Sequence, residues 1–222
     1  MLIAFDSVSA TFGLRLWSDA VGEAADSAAH FPAAAGFHLN VNLDQPDLQF
    51  AARLRRAGGV VSLAPLKPAA QPPSPEALWK LIGAADIFSP DVAEAASLVG
   101  PGSPRGLVRR LIEAGESRAR LIVLRMGESG SLIAEGQTGQ AVVIPAFGMA
   151  VNDSSGAGGA YCGGFLAGWL ESHSLVTAGL YGAVAASFAV GRADLPVVTG
   201  DLRAEASQRL AALEPLVETS SI

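Results

Sequence analysis

Short apolar runs alternate with segments of helical periodicity through the middle of the chain. Residues 60–63 (Val-Val-Ser-Leu) are apolar and partly β-branched and lie between a Gly-Gly pair and Pro65, so they predict a buried strand. In the preceding segment, 47–57, apolar residues recur at helical spacing and two arginines occupy the last turn. Gly58 follows directly, which predicts a helix that ends at a glycine.

Three Ser-Pro pairs mark the starts of the next predicted helices, because serine is a good N-cap residue and proline suits the first helical position. Apolar segments at 86–88 and 121–124 lie between these helices and predict further strands. Strand alternating with helix is typical of a parallel, doubly wound sheet, so we expect the strands near Val61, Ile87 and Val123 to be neighbours. The three pairs are Ser74-Pro75, Ser89-Pro90 and Ser103-Pro104.

The remaining segments depart from this alternation. Short β-like runs within 131–144, separated by two glycine-containing turns, predict a hairpin or edge strands. From Ala157 the chain is predicted to be mostly helical, with a break at 173–174. Residues 1–35 give no clear helix signal before an alanine-rich part near their middle, and 67–74 is predicted to be an exposed connection.

The composition fits one close-packed α/β domain. The chain has 222 residues, of which 50% are hydrophobic and 6% aromatic, and this length is enough for a substantial core. The formal net charge is -6 and there is no basic stripe. We therefore expect no nucleic-acid partner.

The single cysteine, the first six residues and the longest apolar stretch indicate where in the cell the protein is expected. Cys162 has no possible intramolecular disulfide partner, which favours a reducing, cytoplasmic environment. Its side chain is either a small buried apolar group or a reactive thiol. Residues 1–6 lack a basic region and include an acid, unlike a signal peptide. The longest small-apolar stretch, 176–190, is shorter than the ~20 residues of a membrane span, so we expect a soluble protein with no membrane partner.

The segment 152–161 (Asn-Asp-Ser-Ser-Gly-Ala-Gly-Gly-Ala-Tyr) carries the strongest chemical signal. A glycine-rich turn that opens a helix leaves backbone N–H groups without intrahelical partners, and these groups and the helix dipole attract anions. The segment is therefore either a phosphate cradle or a tight loop that leads into a packed helix. Neither Ser154 nor Ser155 lies in a G-x-S-x-G pattern, which argues against hydrolase chemistry.

This segment resembles the C-terminal signature of the pfkB (ribokinase-like) carbohydrate kinases, D-T-T-G-A-G-D-A-F-x-G-G-F. Ser154, Ser155 and Tyr161 are conservative departures from it. Gly159 stands where the family has the aspartate that acts as general base and takes the proton from the substrate hydroxyl. Glycine has no side chain, so the resemblance implies an impaired kinase. The matching residues are Asp153, Gly156, Ala157, Gly158, Ala160, Gly163, Gly164 and Phe165.

The resemblance continues in order from Phe37 to Val198 and implies the ribokinase-like fold, a three-layer, doubly wound and mostly parallel sheet. It predicts a single domain over 1–222, with a pfkB-like core at 36–200 and a lid remnant at 1–35. The family's first strands and its G-G-x-x-x-N sugar-binding element have no counterpart, so the chain is predicted to be an N-terminally shortened, divergent member of the Mak32-like kind.

Two groups of residues are expected to bind nucleotide on this resemblance. The first is the cradle of Gly156, Ala157 and Gly158. The second is the segment 124–130, which resembles the family's T-L-G-x-x-G turn and places the nucleotide against Gly127 and Gly130, although a β-turn that requires positive φ also explains both glycines. Arg125 stands where the family often has threonine; it either contacts a phosphate or lies exposed on a strand edge.

Three carboxylates are candidate metal ligands. Residues 88–94 resemble the family's N-x-x-E region, in which Asp91 and Glu94 would help to hold water-bound Mg²⁺ as hard oxygen ligands. A capping arrangement at a helix start explains the same spacing. Asp153 matches the family aspartate that often helps to bind a monovalent cation, and it could equally cap the turn.

The resemblance implies ATP-dependent phosphoryl transfer to a sugar or related alcohol, with Mg²⁺, ATP and in many members a monovalent cation. Gly159 leaves an alternative open, an inactive pseudokinase that binds nucleotide or serves as a structural subunit. A third, more remote interpretation is a binding domain whose glycine loop holds another anion. A homo-oligomer is compatible with each of these.

Overall fold

The structure is a computed structural model that describes residues 2–6, 13–15, 34–46, 48–116, 119–148, 156–190 and 200–222. The described chain divides by its contacts into two compact units. One unit runs to Leu124 and includes Glu135–Thr138, and the other comprises Arg125–Ala134 and Gly139–Ile222. The nucleotide-binding candidates in the described residues all belong to the second unit, whereas Asp91 and Glu94 belong to the first.

The sheet of the first unit has the strand order β2-β1-β3-β4-β5-β6. Strands β3 to β6 are parallel, with Ser62 opposite Ile87 and Ile87 opposite Leu121, so the predicted neighbours are confirmed. Strand β1 is antiparallel to both β2 and β3, which makes the sheet mixed. The strands are β1 (Leu2–Asp6), β2 (Gly13–Arg15), β3 (Ala34–Val41), β4 (Val60–Pro65), β5 (Ile87–Phe88) and β6 (Leu121–Arg125).

Helices connect the parallel strands, as the alternation predicts: α1 (Gln49–Arg56), α2 (Pro75–Gly83), α3 (Val92–Val99) and α4 (Pro104–Ala114). The hydroxyls of Ser74 and Ser103 cap α2 and α4, each accepting a 3.2 Å hydrogen bond from a backbone N–H in the first turn. The predicted cap at Ser89 is wrong, because Asp91 caps α3 instead.

Arg55 and Asp86 connect three segments of the first unit through an ion pair and hydrogen bonds. The guanidinium of Arg55, near the end of α1, lies 2.9 Å from Asp86 Oδ1 and donates a 2.8 Å hydrogen bond to the carbonyl of Gly83. The other carboxylate oxygen of Asp86 accepts from the N–H of Val61 at 2.8 Å. Side chains of the parallel strands such as Phe88 and Val123 are fully buried.

The second unit contains strands β7 (Ser131–Glu135), β8 (Gln140–Ile144) and β9 (Glu218–Ser221), apart from Glu135 itself, which groups with the first unit. Strand β8 pairs antiparallel with β7 and with β9. The predicted hairpin at 131–144 is therefore confirmed. Strand β9 was not predicted, because Glu-Thr-Ser-Ser carries no apolar alternation and its extended form is stabilised by backbone pairing with β8.

The part of this unit that the structure describes also contains three α-helices: α5 (Ala157–Ser172), α6 (Leu175–Val190) and α7 (Gly200–Leu213). The predicted break between α5 and α6 is confirmed, since His173 adopts a left-handed conformation and ends α5. Glycines let the two helices approach closely: a Cβ atom at Gly164 would lie 2.5 Å from the carbonyl oxygen of Tyr181. Within the described residues, none of the helices combines the length and the apolar character that spanning a membrane requires.

A buried arginine of helix α7 contacts α6. Arg209 donates a 2.6 Å hydrogen bond to the hydroxyl of Ser187 and pairs with Glu205 on its own helix. Its guanidinium carbon lies 3.9 Å from the centre of the Phe188 ring and 5.1 Å from that of Phe147. Cation–π contacts of this kind are stronger when they are desolvated.

Candidate functional site

Helix α5 begins at a glycine N-cap, to which no side chain of the described residues is hydrogen-bonded. Gly156 adopts a left-handed conformation (φ 81°, ψ -11°) and makes no side-chain cap hydrogen bond. Its carbonyl accepts the first intrahelical bond from Ala160, at 2.9 Å. Among the described residues, a Cβ atom at Gly156 would meet nothing within 4 Å. The N–H groups at the start of α5 lack intrahelical partners, as at any helix start.

The guanidinium of Arg125 lies against this first turn. Arg125 is the last residue of β6 and is half-buried, and a Cβ atom built at Gly158 would collide with its Nη1 atom. The helix dipole disfavours a cation at this end of a helix. Arg125 and the first turn therefore bring two groups that favour anions to the same place.

The glycine turn before β7 has the conformation that the sequence predicts. Gly127 and Gly130 have φ of 59° and 84°, and Gly127–Ser129 forms a 3-10 turn between them. Met126 donates a 2.8 Å hydrogen bond to the carbonyl of Gly130. A Cβ atom at Gly130 would overlap the carbonyl oxygen of Ile144, whereas one at Gly127 would meet nothing within 4 Å. The turn thus needs both glycines on structural grounds alone, and their contact with a nucleotide stays a prediction.

Ser131 is a residue of this region that sequence reasoning missed. It follows Gly130 directly, is fully buried, and its hydroxyl accepts a 2.7 Å hydrogen bond from the hydroxyl of Tyr161. Burial raises the pKa of Tyr161 far above its usual value, although the nearby charge of Arg125 acts in the opposite direction. The Tyr161 hydroxyl therefore stays protonated and able to donate. The available signal was a serine directly before a short apolar run.

Asp91 and Glu94 form the capping arrangement at the start of α3. The N–H of Glu94 donates to Asp91 Oδ1 at 2.8 Å, and Glu94 Oε2 accepts from the N–H of Asp91 at 2.7 Å. Glu94 is buried and Asp91 is half-buried. The structural interpretation of this pair is confirmed. As hard oxygen ligands, the two carboxylates also suit Mg²⁺ held through water. This metal role stays a prediction.

The other predicted residues are placed as follows. Asp153 lies outside the described residues. No group of three or more potential metal ligands occurs among the residues that the structure describes. Gly159 lies in the first turn of α5, and Cys162, one turn further on, is a buried small side chain rather than an accessible thiol.

The chain belongs to the pfkB family of carbohydrate kinases, whose family model, described as pfkB family carbohydrate kinase, matches residues 16–195. An aminoimidazole riboside kinase from Salmonella enterica, solved with aminoimidazole riboside and an ATP analogue, has a similar fold with a TM-score of 0.63. The two are 21% identical over 79% of this chain and 62% of that one. The ribokinase-like α/β fold that the sequence predicts is therefore confirmed.

Two curated relatives match parts of the chain. An ATP-dependent 6-phosphofructokinase from Thermoanaerobacterium thermosaccharolyticum is 26% identical over 100 residues, which are 45% of this chain and 30% of the enzyme. A cytidine kinase from Thermococcus kodakarensis is 26% identical over 139 residues, which are 63% of this chain and 49% of that kinase. The chain thus matches less than half of either relative's length.

Proposed function

We propose that the protein binds the phosphates of an adenine nucleotide at the start of α5. The observation that carries this proposal is the guanidinium of Arg125 against Gly158, beside an N-cap glycine that accepts no side-chain cap from the described residues. A helix N-terminus and an arginine side chain each favour phosphate, and here both act at one place. Backbone N–H groups and a planar guanidinium are also the donors that recognise phosphate oxygens well.

We further propose that phosphoryl transfer to a sugar or related alcohol is impaired. Phosphoryl transfer depends mainly on positioning and on neutralising charge, which Arg125 and the first turn of α5 would supply. Gly159 offers no group to accept the proton of the attacking hydroxyl. Loss of a general base typically costs about 10²–10⁴ in rate.

An inactive pseudokinase that acts as a nucleotide-binding or structural subunit is the second candidate. It is favoured by the same glycine, since nucleotide binding requires the donors at α5 but no base. The two candidates differ in turnover and agree on where the nucleotide binds. In either case we propose a cytoplasmic location, which the single cysteine favours. We also propose that the protein forms a homo-oligomer and that a monovalent cation binds near Asp153.

The proposal is tested by calorimetric titration of MgADP into the wild-type protein and into Arg125→Ala. Charge-assisted hydrogen bonds contribute about 1.5–3 kcal/mol, so the variant should bind about 10- to 100-fold more weakly. Arg109→Ala is the matched control, because Arg109 is an exposed arginine on α4, and its affinity should equal that of the wild type. Absence of binding to the wild type would refute nucleotide binding, and equal affinity of Arg125→Ala would refute the site.

The metal role of Asp91 and Glu94 can be separated from their capping role. Mg²⁺ would be held by these carboxylates through water, as suits hard oxygen ligands. Asn and Gln keep the capping oxygens, so Asp91→Asn and Glu94→Gln should retain near wild-type stability, within about 0.5 kcal/mol. The affinity of the protein for Mg²⁺, measured by calorimetric titration with the metal alone, should nevertheless fall in both variants. An unchanged Mg²⁺ affinity would leave the pair with a capping role alone.

A further inference from the structure

A buried hydrogen bond joins the two segments that carry the proposed phosphate site. Tyr161 lies at the end of the first turn of α5, and Ser131 begins β7 directly after the Gly127–Gly130 turn. Their hydroxyls are 2.7 Å apart, and both residues are buried. This contact spans thirty residues of sequence and fixes the start of α5 relative to the glycine turn.

The ring of Tyr161 is held by packing, so its hydroxyl can be considered separately. A Cβ atom at Gly182 on α6 would lie 2.9 Å from Cε2 of this ring, and the ring of Phe165 stacks beside it with centroids 6.1 Å apart. A phenylalanine at position 161 would fill the same space. The hydroxyl therefore contributes the hydrogen bond to Ser131 rather than volume.

Arg125 contacts Gly158, which lies in the same first turn of α5 that the hydrogen bond of Tyr161 fixes. A movement of this turn would therefore also move the backbone against which the guanidinium lies. The buried hydroxyl pair resists such a movement, because an unpaired buried polar group is costly.

We propose that Tyr161 is a positioning residue, which acts with Ser131 to hold the first turn of α5 and Arg125 in the geometry that binds phosphate. This inference rests on the proposed nucleotide site. Tyr161 does not touch the nucleotide; it fixes the turn and the guanidinium that do.

The test is MgADP affinity and thermal stability of Tyr161→Phe, with Tyr181→Phe as the matched control. Tyr181 is a half-buried tyrosine of α6 whose hydroxyl interacts with Glu171, near the other end of α5. Tyr161→Phe should raise the dissociation constant about three- to tenfold, as the loss of one hydrogen bond implies. Tyr181→Phe should leave the dissociation constant unchanged even where it lowers the melting temperature.

A second variant separates positioning from stability. In Tyr161→Phe combined with Ser131→Ala, no buried hydroxyl is left unpaired, so the melting temperature should return towards that of the wild type. If Tyr161 acts by positioning, the MgADP affinity stays low in this double variant. If the affinity recovers together with the stability, or if Tyr161→Phe never loses affinity, the inference is overturned.

The binding measurements distinguish a failure of the positioning role from a failure of the proposed nucleotide site. A wild-type protein that binds no adenine nucleotide removes the proposed site and the positioning role with it. A wild-type protein that binds MgADP in a manner dependent on Arg125, with Tyr161→Phe binding equally well, keeps the site and removes only the positioning role.

Discussion

Replacing Gly130 by alanine is expected to destabilise the protein by about 3–5 kcal/mol. Gly130 has φ 84° and ψ -132°, a backbone conformation that residues other than glycine rarely adopt. A Cβ atom there would also overlap the carbonyl oxygen of Ile144 and lie 2.8 Å from the backbone N of Ala146. Backbone atoms paired in a sheet cannot move away at low cost. The loss should be measured as the free energy of unfolding in urea.

Gly127→Ala is the matched control, because it makes the same chemical change in the same turn. Gly127 also has positive φ, at 59°, but a Cβ atom there would meet nothing within 4 Å. Only the backbone conformation is penalised, so we expect a loss of about 1–2 kcal/mol. Equal losses in the two variants would mean that the overlap at Ile144 does not restrict position 130.

The wild-type protein is expected to turn over at least ~10²-fold more slowly than the roughly 1–100 s⁻¹ of ordinary kinases. Gly159→Asp should restore only part of this loss. A carboxylate at 159 would be adjacent in sequence to Gly158, which Arg125 contacts, and a nearby guanidinium lowers the pKa of a carboxyl and weakens it as a base.

This prediction is checked by a phosphotransfer assay against a panel of sugars and nucleosides. Gly148→Asp is the control, since a Cβ atom at Gly148 would meet nothing within 4 Å and the residue is exposed, so it should leave turnover unchanged. Wild-type turnover in the ordinary kinase range would contradict the expected impairment. Full recovery by Gly159→Asp alone would show that the chain builds a complete substrate site.

Local sequence was sufficient to predict the parallel part of the sheet. The runs at β5 and β6 are apolar on consecutive residues, and that at β4 is apolar apart from Ser62, as is typical of strands buried on both faces. The caps at Ser74 and Ser103 were equally accessible, because each depends on a hydrogen bond within four residues. The same rule failed at Ser89, which is buried, since the reciprocal cap of Asp91 with Glu94 starts α3 two residues later.

The features that define the candidate site depend on contacts between distant residues. Sequence left Arg125 either exposed or bound to phosphate, and its contact with Gly158 depends on how α5 lies against the end of β6. The partner of Tyr161 was likewise unknown, because Ser131 is thirty residues away and offers no motif. Strand β9 was missed because its polar residues are extended only through pairing with β8. These are consequences of tertiary packing, which periodicity does not encode.

The central claim is that nucleotide phosphates bind at the start of α5, and a crystal structure of the protein with MgADP tests it most directly. The account predicts the β-phosphate within hydrogen-bond distance of the backbone N–H groups at the start of α5 and of the Arg125 guanidinium. A nucleotide bound elsewhere, or a first turn of α5 covered by side chains, would contradict the account.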